Sequence, residues 1–225
     1  MTGAQRQHCG VARAAELLAE RWTLLIVRDL LIGPQRYGEI LAGLPGLSTN
    51  ILATRLRSLE DGGVVQRALL PRPRSGTVYE LTAYGRELED AILALARWGL
   101  KSLGEPQEGA PARPVVASLT LRERLGGLAG LIEGGPTRIV VDYGSDVVTF
   151  VCGPDRVTTH WGGEEGAHLV VSAGMQTILA ALHGRLDPRR ARDEGTLTLR
   201  AAGPGLEDAF LAALVGGPVR GAGAP

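Results

Sequence analysis

Apolar residues recur at helical spacing through the first third of the chain, then give way to a short alternating region and a final long helical stripe. Residues 11–19 are amphipathic, residues 23–31 are nearly all apolar until Gly33-Pro34 stops them, and residues 37–42 form a short helix ending at Gly43. A further helix is predicted from Ser48, a good N-cap after the Leu44-Pro45-Gly46-Leu47 turn, to Gly62-Gly63. Projected at about 100° per residue, Leu52, Leu56 and Leu59 share one stripe, Asn50, Thr54 and Arg57 take the opposite side, and Arg55 falls on the flank. Residues 64–70 and 77–81 are β-prone and separated by Pro71, Pro73 and Gly76, so they read as a hairpin whose tip carries Arg72 and Arg74. A long helix over residues 84–103 follows, with the stripe Leu88, Ala91, Ile92, Leu95 and Trp98.

Residues 104–114 hold three prolines and no apolar periodicity, which places a linker at 105–114 between a first domain at 1–104 and a second at 115–225. In the second domain Thr120 and Glu123 have capping-box spacing and open a helix through residue 132. Strands are predicted at 138–143, 146–152, 156–160 and 168–172, the first two joined at Gly144-Ser145 as a tight hairpin. A helix at 175–183, a strand at 196–201 and a helix at 206–215 complete the pattern. The fold class expected is α+β, with a mostly antiparallel sheet in the second domain.

Composition narrows the function classes. With 44% hydrophobic and 21% charged residues the chain is an ordinary globular one, and its longest apolar stretches are far too short to span a bilayer. Two cysteines far apart in sequence and no targeting segment lead us to expect a reduced, cytoplasmic protein without a membrane partner. The zero net charge conceals a tilt: residues 1–104 hold 13 Lys+Arg against 10 Asp+Glu, and residues 105–225 hold 11 against 14. That tilt is mild and does not by itself establish nucleic-acid binding. No nucleophile elbow, phosphate loop or paired-carboxylate motif stands out, and His160, His168 and His183 lack ligand spacing, so neither enzymatic activity nor a metal or other cofactor is expected.

A helical unit, a polar outward face on its capped helix and a basic hairpin just after it are the parts of a winged helix-turn-helix. A helix in the major groove offers donors from its N-terminal half, and the hairpin lays cations along phosphates. Asn50 is suited to bidentate pairing with adenine, and Arg57 to guanine or a phosphate. Arg36, Ser48, Thr49, Thr54 and Arg55 complete the DNA-facing set, with Arg72 and Arg74 adding affinity and salt dependence.

The motifs carrying this pattern are Glu20-Arg-Trp-Thr-Leu-Leu-Ile-Val-Arg28, Gly33-Pro34, Arg36-Tyr-Gly-Glu39, Leu44-Pro-Gly-Leu-Ser-Thr-Asn50, Gly63-Val-Val-Gln-Arg67 and Tyr79-Glu-Leu-Thr82. Over residues 9–99 the chain resembles the HxlR family of bacterial winged-helix regulators, which are MarR-like. The resemblance implies a homodimer built from the N-terminal and long final helices, with Leu88, Ile92, Leu95 and Trp98 in its seam, and a nearly palindromic double-stranded DNA operator. It implies a transcriptional regulator, more often a repressor. Cys9 has two readings. Some members of the family use an N-terminal cysteine near this position to sense oxidants or electrophiles, which makes a redox-responsive regulator with an architectural second domain one alternative; the other is an unreactive thiol.

Residues 117–216 resemble the sterol-carrier-protein type of fold, most clearly in residues 168–185, which run from a strand into a helix closing on Gly184-Arg185, and in Glu194-Gly-Thr-Leu-Thr-Leu-Arg200. That resemblance implies a sheet covered by helices over an apolar cavity for a small apolar ligand. Phe150, Trp161, Met175, Ile178 and Leu182 would line it; the same residues would equally fill a solid core. The expectation for the whole chain is a regulator switched by such a ligand, and a carrier or sequestering module is the rival reading.

Overall fold

The computed structural model describes residues 8–70, 75–102, 113–132 and 135–216. The chain divides into two compact units, Met1–Glu108 and Gly109–Pro225. No helix among the described residues is long and apolar enough to cross a membrane.

Unit 1 begins with α1 (Gly10–Leu18) and α2 (Thr23–Leu30), followed by α3 (Tyr37–Gly43) and α4 (Thr49–Asp61). The apolar run of α2 buries Ile26, Val27 and Leu30 completely or nearly so. Ser48 caps α4 as its sequence position predicts, its hydroxyl accepting from Ile51 N at 3.3 Å, and Leu52, Leu56 and Leu59 form the buried stripe. The helix gives way at Gly62, and Gly63 then adopts φ +69°, a left-handed turn that suits glycine. Strands β1 (Val65–Leu70) and β2 (Gly76–Leu81) pair antiparallel from Val65 opposite Leu81 to Leu70 opposite Gly76. A third, one-residue rung joins Gln35 to Tyr79.

The closing helix of unit 1 differs from the continuous one predicted at 84–103. It is broken into α5 (Ala83–Arg86) and α6 (Glu89–Gly99), with a 3-10 turn at Leu100–Ser102. Glu87 N and Leu88 N donate to the carbonyls three residues back, which tightens the chain and interrupts the α-helical ladder. Packing fixes that point: Thr82 caps α5 by accepting from Gly85 N at 3.0 Å and donates to Gly63 O at 2.7 Å. A Cβ on Gly85 would overlap the Val64 carbonyl oxygen, so glycine is needed for this close approach to the hairpin.

Unit 2 opens with α7 (Val115–Arg124) and a 3-10 turn at Leu125–Leu128. The capping-box expectation at Thr120 fails, because Val115, Ala117 and Leu119 are already buried and carry the helix back to Pro114. Next come β3 (Thr137–Asp142), β4 (Val147–Cys152), β5 (Val157–Trp161), β6 (Leu169–Ala173), α8 (Met175–Leu182), α9 (Pro188–Asp193), β7 (Leu197–Ala201) and α10 (Leu206–Leu214). The sheet order is β5-β4-β3-β6-β7, and every pair is antiparallel except β3 with β6, so the α+β class with a mostly antiparallel sheet holds. Helix α9 was missed in the sequence, although Asp187 accepting from Arg189 N at 2.9 Å ahead of Pro188 is a standard helix start. Ile139, Val141, Val148, Phe150, Leu169 and Val171 are fully buried sheet residues, and Leu121, Ile178, Phe210 and Leu214 are equally buried in the helices. Arg124 donates from Nη1 to Leu214 O at 2.7 Å and from Nη2 to Leu182 O at 2.8 Å, so one cation satisfies carbonyls at the C-terminal ends of two helices.

Candidate nucleic-acid interface

The polar face of α4 is built by its buried face. With Leu52, Leu56 and Leu59 inward, Thr49, Asn50, Thr54 and Arg57 are exposed, and Ser48 stands exposed at the helix start. Thr54 Oγ1 donates to Asn50 O at 2.9 Å, and Arg57 Nε donates to Ala53 O at 3.3 Å, so both side chains lie along the helix. Asn50 and Arg57 thus present an amide and a guanidinium to solvent on one side of α4.

Not every residue expected at this face points outward from it. Arg55 turns to the flank, where its Nη2 pairs with Glu20 Oε2 at 3.0 Å and its side chain is only 23% exposed. Arg36 Nη2 donates to Ser75 O at 3.1 Å, at the loop end of the hairpin where β2 begins. Arg72 and Arg74, expected at the hairpin tip, lie outside the described residues. Two participants were missed in the sequence. Tyr37 donates its hydroxyl to Thr49 O at 2.6 Å, tying the start of α3 to the first turn of α4. Gln35 exchanges backbone hydrogen bonds with Tyr79 and donates its Nε2 to Asp29 O at 3.0 Å. Such pairings depend on chain segments far apart in sequence, and no local pattern announces them.

A second surface belongs to α1 and α6. Within unit 1 no residue of α1 is buried, and Val11, Leu95 and Trp98 are 79%, 50% and 71% exposed. Leu88 is half-buried. Ile92, expected in the same seam, is buried in the core of unit 1 and is removed from that list.

Comparison with known proteins decides the kinship of this unit. The sequence pattern of HxlR-like helix-turn-helix proteins matches residues 17–107. An HTH-type transcriptional regulator of Synechocystis sp. is 37% identical over 91 residues, which cover 40% of this chain and 67% of that protein. The HTH-type transcriptional regulator YvaP of Bacillus subtilis is 41% identical over 86 residues, covering 38% of this chain and 80% of YvaP. The chain belongs to the HxlR-like helix-turn-helix family. Among solved structures, the reduced form of the transcriptional regulator YodB from B. subtilis is similar at 31% identity, covering 45% of this chain and 100% of that one with a TM-score of 0.38. The HxlR-like match stops at residue 107, so unit 2 lies outside it.

The two cysteines of this HxlR-like chain sit in opposite environments. Cys9 is exposed at the start of α1, and the backbone N–H groups of Ala12 and Val11 hold its thiol pKa below the ordinary value. Cys152 is buried on β4, and desolvation pushes its pKa up to about 12. Because alkylation requires thiolate and access, iodoacetamide at pH 8 modifies Cys9 in the native protein and leaves Cys152 intact until denaturant is added. Peptide mass mapping checks this; equal labelling of both cysteines in the native state contradicts it.

Three of the five residues expected to line a ligand cavity or fill a core in unit 2 are buried. Phe150 and Ile178 are completely buried and Leu182 nearly so, in the core between sheet and helices, while Met175 is half-buried. Trp161 is capped by the Arg113 guanidinium 4.3 Å from its ring centroid, and Arg113 in turn pairs with Asp146 at 3.0 Å. A pocket of about 670 Å³ opens elsewhere, lined by Gly126, Gly127, Ala129, Gly130, Gly135, Pro136, Pro154 and the thiol-bearing Cys152. None of the five borders it. Phe150, Ile178 and Leu182 are thus buried among sheet and helices, and the Trp161 ring is covered by a guanidinium. Apolar periodicity is the same whether a face meets a cavity or another side chain, so sequence alone did not separate the two.

Proposed function

We propose that this chain is a homodimeric DNA-binding transcriptional regulator that reads a near-palindromic operator with α4 and grips its backbone with the β1–β2 hairpin. The observation that carries this is the exposed row of Asn50, Thr54 and Arg57, opposite the buried leucine stripe of the same helix, with Ser48 and Thr49 exposed at its start. The names of the Synechocystis and B. subtilis relatives support the same reading. Asn50 and Arg57 read bases, and Ser48, Thr49 and Thr54 position the helix on phosphates. Arg72 and Arg74 supply backbone contacts. Occupying an operator occludes it, so repression is the proposed sign of regulation.

The exposed α1/α6 surface supports dimerisation, because two large apolar side chains this exposed on adjacent turns of a helix need a partner. Replacing Leu95 and Trp98 together by Glu converts the protein to monomer at micromolar concentration, each substitution costing about 2 kcal/mol or more of association. Sedimentation velocity reads the result; an unchanged dimer contradicts the seam.

For unit 2 we propose a sterol-carrier-like module that receives a small apolar ligand and shifts the dimer between DNA-competent and incompetent states. A sheet covered by helices and a glycine- and proline-lined pocket support this reading. Native mass spectrometry of the purified protein, looking for a bound mass released on denaturation, tests it. For the chain as a whole, fluorescence anisotropy with a duplex from upstream of its own gene, against a scrambled duplex, tests DNA binding: a preference for the upstream duplex supports the proposal, and equal or absent binding defeats it.

A further inference from the structure

Three consecutive residues join the two DNA-facing elements of unit 1. Gln35 N donates to Tyr79 O at 3.0 Å and Gln35 O accepts from Tyr79 N at 2.8 Å, which fixes residue 35 to the middle of β2. Arg36 Nη2 donates to Ser75 O at 3.1 Å, and its guanidinium fills the space over Gly76, where a Cβ would stand 2.5 Å from Nη1. Gly76 has φ +147°, so the first residue of β2 lacks a side chain in both senses: the backbone favours glycine and the arginine occupies the room. Tyr37 donates its hydroxyl to Thr49 O at 2.6 Å, and its ring meets that of Tyr79 with centroids 6.5 Å apart. Residue 36 is held at the backbone as well, its N–H donating to Glu39 Oε2 at 2.7 Å. The segment 35–37 thus connects strand β2, from its loop end to Tyr79, with the first turn of α4.

We infer that Arg36 is a positioning residue for DNA binding: it fixes the loop end of the β1–β2 hairpin, where β2 begins, relative to α4, and acts on DNA through the hairpin rather than by its own contact with a phosphate. This rests on the DNA-binding reading given above. A charge-assisted bond from a guanidinium to a carbonyl that closes a hairpin strand is stronger than a neutral one. It connects residues 39 positions apart, so its loss releases the hairpin without touching the buried stripe of α4. A cation that merely touched DNA would instead add its phosphate contact independently of the hairpin.

A double-mutant cycle separates the two roles. Anisotropy is measured on a labelled duplex of about 30 base pairs from upstream of the chain's own gene, from about 50 to 200 mM salt, for wild type, Arg36→Ala, Arg72→Ala/Arg74→Ala and the triple variant. We expect Arg36→Ala to weaken binding about tenfold in the wild-type background and less than twofold when Arg72 and Arg74 are already alanine. The salt slope of the triple variant equals that of the double. In the free protein, amide exchange at Ser75, Gly76 and Thr77 speeds up in Arg36→Ala while exchange in α4 is unchanged, a readout independent of any DNA contact. Equal losses in both backgrounds, a triple-variant slope lower by about 0.9 for one further phosphate, or unaltered exchange at residues 75–77 overturns the inference. A wild-type protein that binds neither this duplex nor a scrambled one overturns the functional reading and the inference together, whereas wild-type binding with additive losses overturns only the role of Arg36.

Discussion

Replacing Asn50 and Arg57 together by alanine removes the protein's ability to tell its operator from random DNA. Each bidentate base contact contributes about 1–3 kcal/mol of discrimination, so losing two per half-site costs about 2–6 kcal/mol, a factor of about 30 or more. Both side chains are exposed and neither touches the buried Leu52, Leu56 and Leu59 stripe, so stability should move by no more than about 0.5 kcal/mol. Binding to scrambled DNA, which rests on phosphate contacts, persists in the variant with a similar salt slope. The measurement is the ratio of dissociation constants for the upstream and scrambled duplexes. If the variant keeps the wild-type ratio, α4 is not the reading element.

Phe150→Ala destabilises unit 2 by about 3–5 kcal/mol, the range for deleting a fully buried phenylalanine. The ring is completely buried on the interior strand β4, opposite Ile139 on β3 and Thr159 on β5 in register. At about 4–8 °C per kcal/mol for a domain of this size, the unit 2 transition in calorimetry falls by at least about 12 °C. The alternative, in which Phe150 borders an empty ligand cavity, predicts a much smaller loss because the ring would give up fewer contacts. A shift below about 4 °C would favour that alternative and return Phe150 to the ligand site.

The contrast between Asn50 and Arg57 on one side and Phe150 on the other shows what the amino-acid pattern can reveal. The outward placement of Asn50 and Arg57 was legible because the leucine spacing fixes the inward direction of α4, and the bounds of that helix follow from Ser48 and from Gly62-Gly63. The hairpin was legible from its proline- and glycine-rich tip and its β-prone flanks. Phe150 was ambiguous because hydrophobicity reports burial and does not report what lies on the other side. Arg36 and Arg55 read as DNA-facing cations in the sequence, and the structure ties them to Ser75 and Glu20 through partners far apart in the chain. The break at Glu87-Leu88 has the same origin, since the approach of Gly85 to Val64 that sets it spans 21 positions. In unit 2, the buried start of α7 outweighed the capping-box spacing at Thr120, because burial of Val115 and Leu119 stabilises a helix more than a cap does.

The central claim, that two copies of the capped helix α4 read DNA from one dimer, is tested most directly by hydroxyl-radical footprinting of the purified protein on the duplex upstream of its gene. The account predicts two protected segments centred about 10 base pairs, or about 34 Å, apart on one face of the duplex, and both vanish for Asn50→Ala/Arg57→Ala at a concentration that saturates wild type. A single protected segment, uniform protection without phase, or a footprint unaffected by that double substitution would contradict it.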